Sequence, residues 1–571
     1  MSGAKSYEKG IDRRMFLGYA AATGLSSEVL GKDVCGNESG ESGQITEEIV
    51  AGAEKLAGLD YTDKERKLML KGLSENLESF QNLRAIDFDN SVAPALVFDP
   101  VLPGMEFSSK PVAVRRSSRA ARQVPSDLEQ VAFWPVTDIS QLIEGRKVSV
   151  TELTKMYLQR LKRYDKELKC VVTLTEELAL KQAARADKEI MAGRYRGSLH
   201  GIPWGAKDLL AAEGYKTTWG AMPYKNQLLD YNATVVQRLE EAGAILIAKL
   251  TLGALAWGDV WFGGQTKNPW NTEWGSSGSS AGPAAATAAG LVVFSIGSET
   301  SGSIVSPCTV CGVTGLRPTF GRVSRHGALA LNWSMDKIGP ICRSAEDCAL
   351  VFDAIYGPDG KDGTLVDLPF NWDAKSGIRK LKVGYLKTAF EKDRDDKEWK
   401  ENDLAALDVL SGLGLNMIPI ELPDYPIGSM SFILEAEVAA AFSELTLSNH
   451  DDELVRQVKD AWPNVFRQSR LIPAVEYIQA NRLRTLVMQA MRELMSEIDV
   501  YVAPSLEGDN LLLTNLTGHP QVVAPNGFNK DRRPTSISFV GRLFSEANVL
   551  AVAKAYQDAA GFHLQYPELL K

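Results

Sequence analysis

Apolar residues recur along this chain in two rhythms. Between residues 45 and 95 the spacing is helical, with Ile49, Ala53 and Leu56 at i, i+4 and i+7. Thr62 and Glu65 suit a capping box, and Leu70, Leu73, Leu77 and Phe80 follow as a stripe. This predicts a helical arm over 45–95, too small to stand alone, with its stripe against the remainder of the protein. Beyond residue 131 helical periods alternate with short apolar runs. Ser149 and Glu152 open a helix whose inward face is Leu153, Met156, Tyr157 and Leu161, and residues 176–192 form an Ala-rich helix. The runs Ala244 to Ala248 and Val292 to Ile296, each beside glycine, suit buried strands, as do Val500 to Ala503 and Ile537 to Val540. Alternation of this kind predicts an α/β domain over 131–565, a mixed sheet with helices on both faces. The more charged stretch 390–495 reads as helical and is expected to cap or flank that core.

The remaining segments are connective. Residues 31–44 are rich in Gly, Ser and Glu and read as a linker; 96–130 hold several prolines and a basic patch, Arg115 to Arg122, and read as an extended linker over the surface. At residues 1–30, Asp12-Arg13-Arg14-Met15-Phe16-Leu17 and the weakly apolar run 18–25 resemble a twin-arginine export signal, which implies a periplasmic destination. The alternative is the tail of a cytoplasmic enzyme: no A-x-A cleavage site follows, and Asp12 stands where Ser or Thr is usual. Lys32 and Asp33 make Cys35 a poor lipidation site.

Charge and cysteine content narrow the classes. The 571 residues carry 63 basic and 72 acidic side chains, a net charge of −9, without a basic stripe, so nucleic acid is not an expected ligand. No run of 18 apolar residues occurs, which predicts no membrane span. Six cysteines in a chain this long do not make a disulfide framework. Cys308 and Cys311 form one C-x-x-C without a second pair to complete a zinc site, and they read as structural, as do Cys342 and Cys348.

The chemistry concentrates in 275–321. The tract Gly275-Ser276-Ser277-Gly278-Ser279-Ser280-Ala281-Gly282 precedes an Ala-rich helix and a strand; a second tract, Gly297-Ser298-Glu299-Thr300-Ser301-Gly302-Ser303, follows. Glycines let the backbone bend sharply, and consecutive N–H groups in such a bend form an anion-binding nest. A serine at its end has what acyl transfer needs, a hydroxyl beside donors for an oxyanion. Flexible Ser/Gly loops would look the same. A base is also required, and none of the five histidines sits in a triad setting. Lys207, in His200-Gly201-Ile202-Pro203-Trp204-Gly205-Ala206-Lys207-Asp208, is flanked by apolar and small residues. Burial could lower its pKa from ~10.4 to ~7 at a cost of about 5 kcal/mol; an exposed lysine fits the local sequence equally well.

These motifs together resemble the amidase signature family. Its Gly-Gly-Ser-Ser-Gly-Gly and Gly-Gly-Ser-Ile strings match the tracts bearing Ser279 and Ser303, 24 residues apart. Its Gly-Leu-Lys-Pro-Thr-x-Gly-Arg matches Gly315 to Arg322, its lysine motif matches His200 to Asp208, and its C-terminal marks match Asn515 to Pro520 and Val540-Gly541-Arg542. The resemblance covers about 135–562. It implies a mixed sheet of about eleven strands surrounded by helices. It also implies a triad of Ser303 as nucleophile, Ser279, on a cis peptide bond, as proton bridge, and Lys207 as neutral base. Backbone N–H groups of Thr300, Ser301, Gly302 and Ser303 would form the oxyanion hole, with no metal and no organic cofactor. The chain departs from the family at Glu299 (often Asp), Val305 (often Arg), and Ser301 and Ala281 (usually Gly). Separately, residues 45–100 are similar to the small helical subunit of tRNA-dependent amidotransferases.

The leading expectation is therefore an amide hydrolase acting alone on a small-molecule amide, with homodimerisation left open. The alternatives are the glutaminase (A) subunit of a tRNA-dependent amidotransferase, an esterase, and a non-catalytic binding protein on the same scaffold. The substrate is not legible. Trp257, Trp261, Trp270 and Trp274 surround the first tract and read mostly as core rather than pocket.

Overall fold

The computed structural model describes residues 45–568, apart from 87–88, 93 and 119–121. The export-like motif, the 31–44 linker, Cys35 and part of the basic patch lie outside the described residues. These residues fall into two compact units that divide after Ile86.

The first unit is a pair of helices. Thr46 caps Glu47–Ala57, Gly58 ends it in a left-handed conformation, and Thr62 with Glu65 forms the capping box of Asp63–Arg84. Arg66 Nη2 pairs with Glu54 Oε2 at 2.9 Å and ties one helix to the other. The longer helix has no fully buried residue, so two helices alone do not bury the leucine stripe.

The second unit is built on one sheet of eleven strands. In chain order these are β1 Val171–Leu174, β2 Pro203–Lys207, β3 Ile245–Leu250, β4 Phe294–Glu299, β5 Thr314–Arg317, β6 Lys337–Cys342, β7 Val383–Leu386, β8 Met417–Ile420, β9 Val500–Pro504, β10 Gln521–Phe528 and β11 Pro534–Gly541. Across the sheet they run β1-β3-β2-β4-β6-β5-β10-β11-β9-β7-β8. The sheet is mixed: β2 is parallel to both β3 and β4, whereas β6 returns antiparallel to β4. Every residue of β2 and β3 is buried, as continuous apolar runs with helices on both faces require. The predicted capping box at Ser149 and Glu152 forms, and Leu153, Met156, Tyr157 and Leu161 all point into the core. The stretch 390–495 is mostly helical, and it also supplies β8, the strand at one edge of the sheet. Residues 96–117 are extended and belong to this same unit.

Candidate active site

Lys207 closes strand β2, in the interior of the sheet, with no exposed surface. Gly205 allows the packing that places it there, since a Cβ at 205 would fall 2.4 Å from Leu250 Cδ1. Among the described residues the side-chain nitrogen meets only uncharged oxygens: Ser279 Oγ at 2.8 Å, Ser298 Oγ at 2.9 Å, Ser280 Oγ at 3.0 Å and the Ser298 carbonyl at 3.3 Å. Burial pushes its pKa down to about 7, against an opposing pull from the Asp336 and Glu299 carboxylates. The neighbouring Asp208 turns away from this cluster and pairs with buried Lys249 at 2.7 Å.

Ser279 comes from the loop that leads into the helix Ala281–Ala288. The Gly278–Ser279 peptide bond is cis, and Ser277 has φ +55°. Gly278 lies against Gly258, where a Cβ would meet the Gly258 carbonyl oxygen at 1.8 Å. Ser279 is 1% exposed, and its hydroxyl makes a single hydrogen bond among the described residues, the one to Lys207. Ser280 is differently engaged, because its hydroxyl also donates to the Ser298 carbonyl and accepts the Ser298 N–H.

The second tract turns from β4 into the helix Val305–Cys311. Two hydrogen bonds fasten it to the first: the Ser280 N–H donates to the Ser303 carbonyl at 3.1 Å, and the Ser277 and Ser306 hydroxyls meet at 2.7 Å. Glu299 holds the turn from inside. Its Oε2 accepts the N–H groups of Ile304 and Val305 at 2.8 and 2.9 Å; its Oε1 takes Arg317 Nη1 at 2.7 Å and Asn515 Nδ2 at 2.9 Å. Burial alone would raise its pKa, yet Arg317 and the N–H donors hold it down at about 2. Among the described residues, the N–H groups of Thr300, Ser301, Gly302 and Ser303 donate to no protein acceptor, and Gly302 makes the bend at φ +87°. Ser303 is partly exposed, and among the described residues its hydroxyl makes no hydrogen bond to Ser279.

A cavity of about 260 Å³ reaches Ser298 and Thr300, with Leu209, Ala256 and residues 325–333 and 336–338 as further walls; Lys207, Ser279 and Ser303 are not among its lining residues. A larger one, about 600 Å³, lies among Pro100, Phe107, Arg492 and Phe544, away from the serines and Lys207. Asp336 joins turn to cavity: Thr300 Oγ1 donates to it at 2.5 Å, and the Leu331 and Asn332 N–H groups donate to its other oxygen.

The four tryptophans do not line the cavity at Ser298. Trp257 packs on Trp462, Trp270 donates to the Cys311 carbonyl, Trp274 lies under Arg533, and Trp261 is buried. All four cysteines of 308–348 are buried thiols. Among the described residues no cluster of His, Cys, Asp or Glu is placed to hold a metal ion, and no helix is long and apolar enough to cross a membrane. Ser280, Ser298 and Asp336 were not singled out from sequence. The serines sit inside tracts already crowded with serine, and Asp336 lies far from both tracts in the chain.

Comparison with known proteins places the chain in a family. A family model described as Amidase matches residues 152–550. The chain is 32% identical over 485 residues to the glutamyl-tRNA(Gln) amidotransferase (A) subunit of Marinomonas sp. (strain MWYL1), covering 76% of this chain and 99% of that one. It is 34% identical to the protein of the same name from Dehalococcoides mccartyi (strain CBDB1), covering 75% and 97%. Among solved structures, the native peptide amidase from Stenotrophomonas maltophilia superimposes with a TM-score of 0.67 at 29% identity, over 76% of this chain and 98% of that one. An eleven-stranded mixed sheet, a lysine at the end of an inner strand and the family match over 152–550 lead to one placement: the chain is an amide-hydrolysing enzyme and belongs to the amidase family.

Proposed function

We propose that the chain cleaves a carboxamide C–N bond through an acyl-enzyme on Ser303, with Ser279 as proton bridge and Lys207 as base. One observation carries the reading: a fully buried lysine, without an ion-pair partner among the described residues, is hydrogen-bonded to the hydroxyl of Ser279. A neutral amine has two N–H donors and one lone pair. The Ser280 hydroxyl proton is used on the Ser298 carbonyl, whereas Ser279 is free to donate to the lysine lone pair.

On this reading Ser303 Oγ bonds to the amide carbon while its proton passes to Ser279, and the Ser279 proton passes to Lys207. Charge gathers on the carbonyl oxygen, to which the free N–H groups of Thr300–Ser303 donate; one such donor supplies about 3 kcal/mol to a transition state. The C–N bond then breaks as the proton returns through Ser279 to the leaving nitrogen, giving ammonia or an amine. Water attacks the remaining ester, passes a proton back along the same path to Ser303, and releases the carboxylic acid.

The relatives favour a narrower role over free-standing hydrolysis, that of the glutaminase (A) subunit of a glutamyl-tRNA(Gln) amidotransferase. What supports it is identity of 32% and 34% across nearly the whole length of proteins of that name. The amide would then be the side chain of glutamine, and the chain would work beside other subunits. What supports the free-standing role is the peptide amidase likeness at 29% identity. Assay of the purified chain on glutamine and on simple carboxamides, with Ser303→Ala as control, tests the chemistry. Activity that survives in the Ser303→Ala variant would refute it. Full-rate hydrolysis by the chain alone, eluting without partner subunits, would refute the amidotransferase role.

A further inference from the structure

Residues 89–92 and 94–117 are not idle chain between a helical arm and a catalytic domain. They are fastened to the catalytic domain at several points. Asn90 pairs with the backbone of Ala330 in both directions, Nδ2 to the carbonyl at 3.0 Å and Oδ1 from the N–H at 2.8 Å. Phe98 meets the Phe320 ring edge-on at 5.0 Å, with the Arg484 guanidinium 3.6 Å from its centre. Arg492 donates to the carbonyls of Pro103 and Gly104. Between the Asn90 latch and the Phe98 anchor, Ser91 and Val97 line the cavity that ends at Ser298 and Thr300. Val97 keeps 63% of its surface exposed, which puts it at the cavity mouth rather than in the packed interior. Ala330, the residue latched by Asn90, belongs to the loop whose Leu331 and Asn332 are tied through Asp336 to Thr300.

We propose that residues 89–92 and 94–98 form a strap that lines one wall of the substrate cavity and sets the size of the amide the site admits. This rests on the reading of Ser303 and Lys207 given above. Among the described residues the strap is latched by Asn90 and anchored by Phe98, so its grip on the cavity can be altered without touching the reacting groups. The substrate class that follows is a small, slender carboxamide, since the cavity holds about 260 Å³ and Ser91 and Val97 of the strap line it.

The test is a selectivity ratio: kcat/KM for N-benzylphenylacetamide divided by kcat/KM for acetamide. Val97→Trp fills the mouth and should lower that ratio at least about tenfold, the low end of the discrimination that one methylene makes in a pocket. Asn90→Ala releases the latch and should raise it by a similar factor. Labelling of Ser303 by a small fluorophosphonate reports that each variant is folded with an intact site. Opposite shifts in the two variants support the strap. Variants that label normally yet keep the unmodified ratio overturn it alone. Failure of the unmodified enzyme to label at Ser303 overturns the functional reading and the strap together.

Discussion

Lys207 Nζ stands 2.8 Å from Ser279 Oγ, although the two residues are 72 positions apart and arise from different kinds of structure. The lysine is the last residue of an inner strand; the serine follows a cis peptide bond in a loop. Their contact sets a direction for pH. With the lysine pKa near 7, the amine is charged and unable to accept a proton below that value. The kcat/KM profile should therefore rise with pH through about 7 and fall about tenfold per unit on the acid side. Lys207→Met should lose this limb and about 10³-fold in rate, within the range that a positioned base supplies.

The two serines should differ in how they fail. Ser303→Ala removes the acylated oxygen, so acyl-enzyme and turnover both vanish. Ser279→Ala keeps the nucleophile but cuts the proton path, and should lower kcat by about 10²- to 10⁴-fold with KM little changed. Steady-state kinetics on one amide substrate distinguishes them.

Glu299 touches no reacting atom in this account and acts through the turn it holds. Its carboxylate joins Arg317, Asn515 and two backbone N–H groups at the start of the helix Val305–Cys311. Glu299→Gln leaves Arg317 buried with half its partner removed, and should destabilise the fold by roughly 3–5 kcal/mol. It should also lower kcat more than it raises KM. The folded pKa, near 2, lies below the ordinary 4.5, so the carboxylate stabilises the fold fully above pH 4.5. That contribution is lost as pH falls towards 2. Denaturation midpoints of the two proteins should accordingly converge between about pH 5 and about pH 2.

Gly278 gives a steric test. A methyl group there would overlap the Gly258 carbonyl, which is backbone and cannot swing aside. Gly278→Ala should displace Ser279 from Lys207 and cut activity at least as far as Ser279→Ala, whereas Gly52→Ala, with open space around it, should leave activity alone.

How much of this was legible in the sequence differs from element to element. The caps at Thr62 and Ser149 were, because a capping box is a local pattern of two residues three apart. So was the α/β character, since buried strands such as Ile245–Leu250 read as apolar runs. The edge strand Met417–Ile420 was not, because a four-residue strand between helices gives no periodic signal of its own. Lys207 could not be told from a surface lysine by its neighbours alone; burial in the sheet interior decides that, and burial is a property of the whole fold. The coupling of Asp336 to Thr300 depends on β6 returning beside β4, a long-range pairing that no local pattern encodes. The strap was not legible as a unit: its residues up to 95 read with the helical arm and the rest as an extended stretch, whereas the helix ends at Arg84 and the strap's meaning lies in Asn90 meeting Ala330, 240 residues onward.

The acyl-enzyme itself is the most direct test. The enzyme is mixed with a slowly deacylating amide or ester, quenched in acid within the first turnover, digested, and mapped by mass spectrometry. The account predicts the acyl mass on the peptide that contains Ser303, and on Ser303 within it. It also predicts that the adduct is missing in Ser303→Ala and accumulates more slowly below about pH 7. An adduct on another residue, or undiminished turnover in Ser303→Ala, would contradict it.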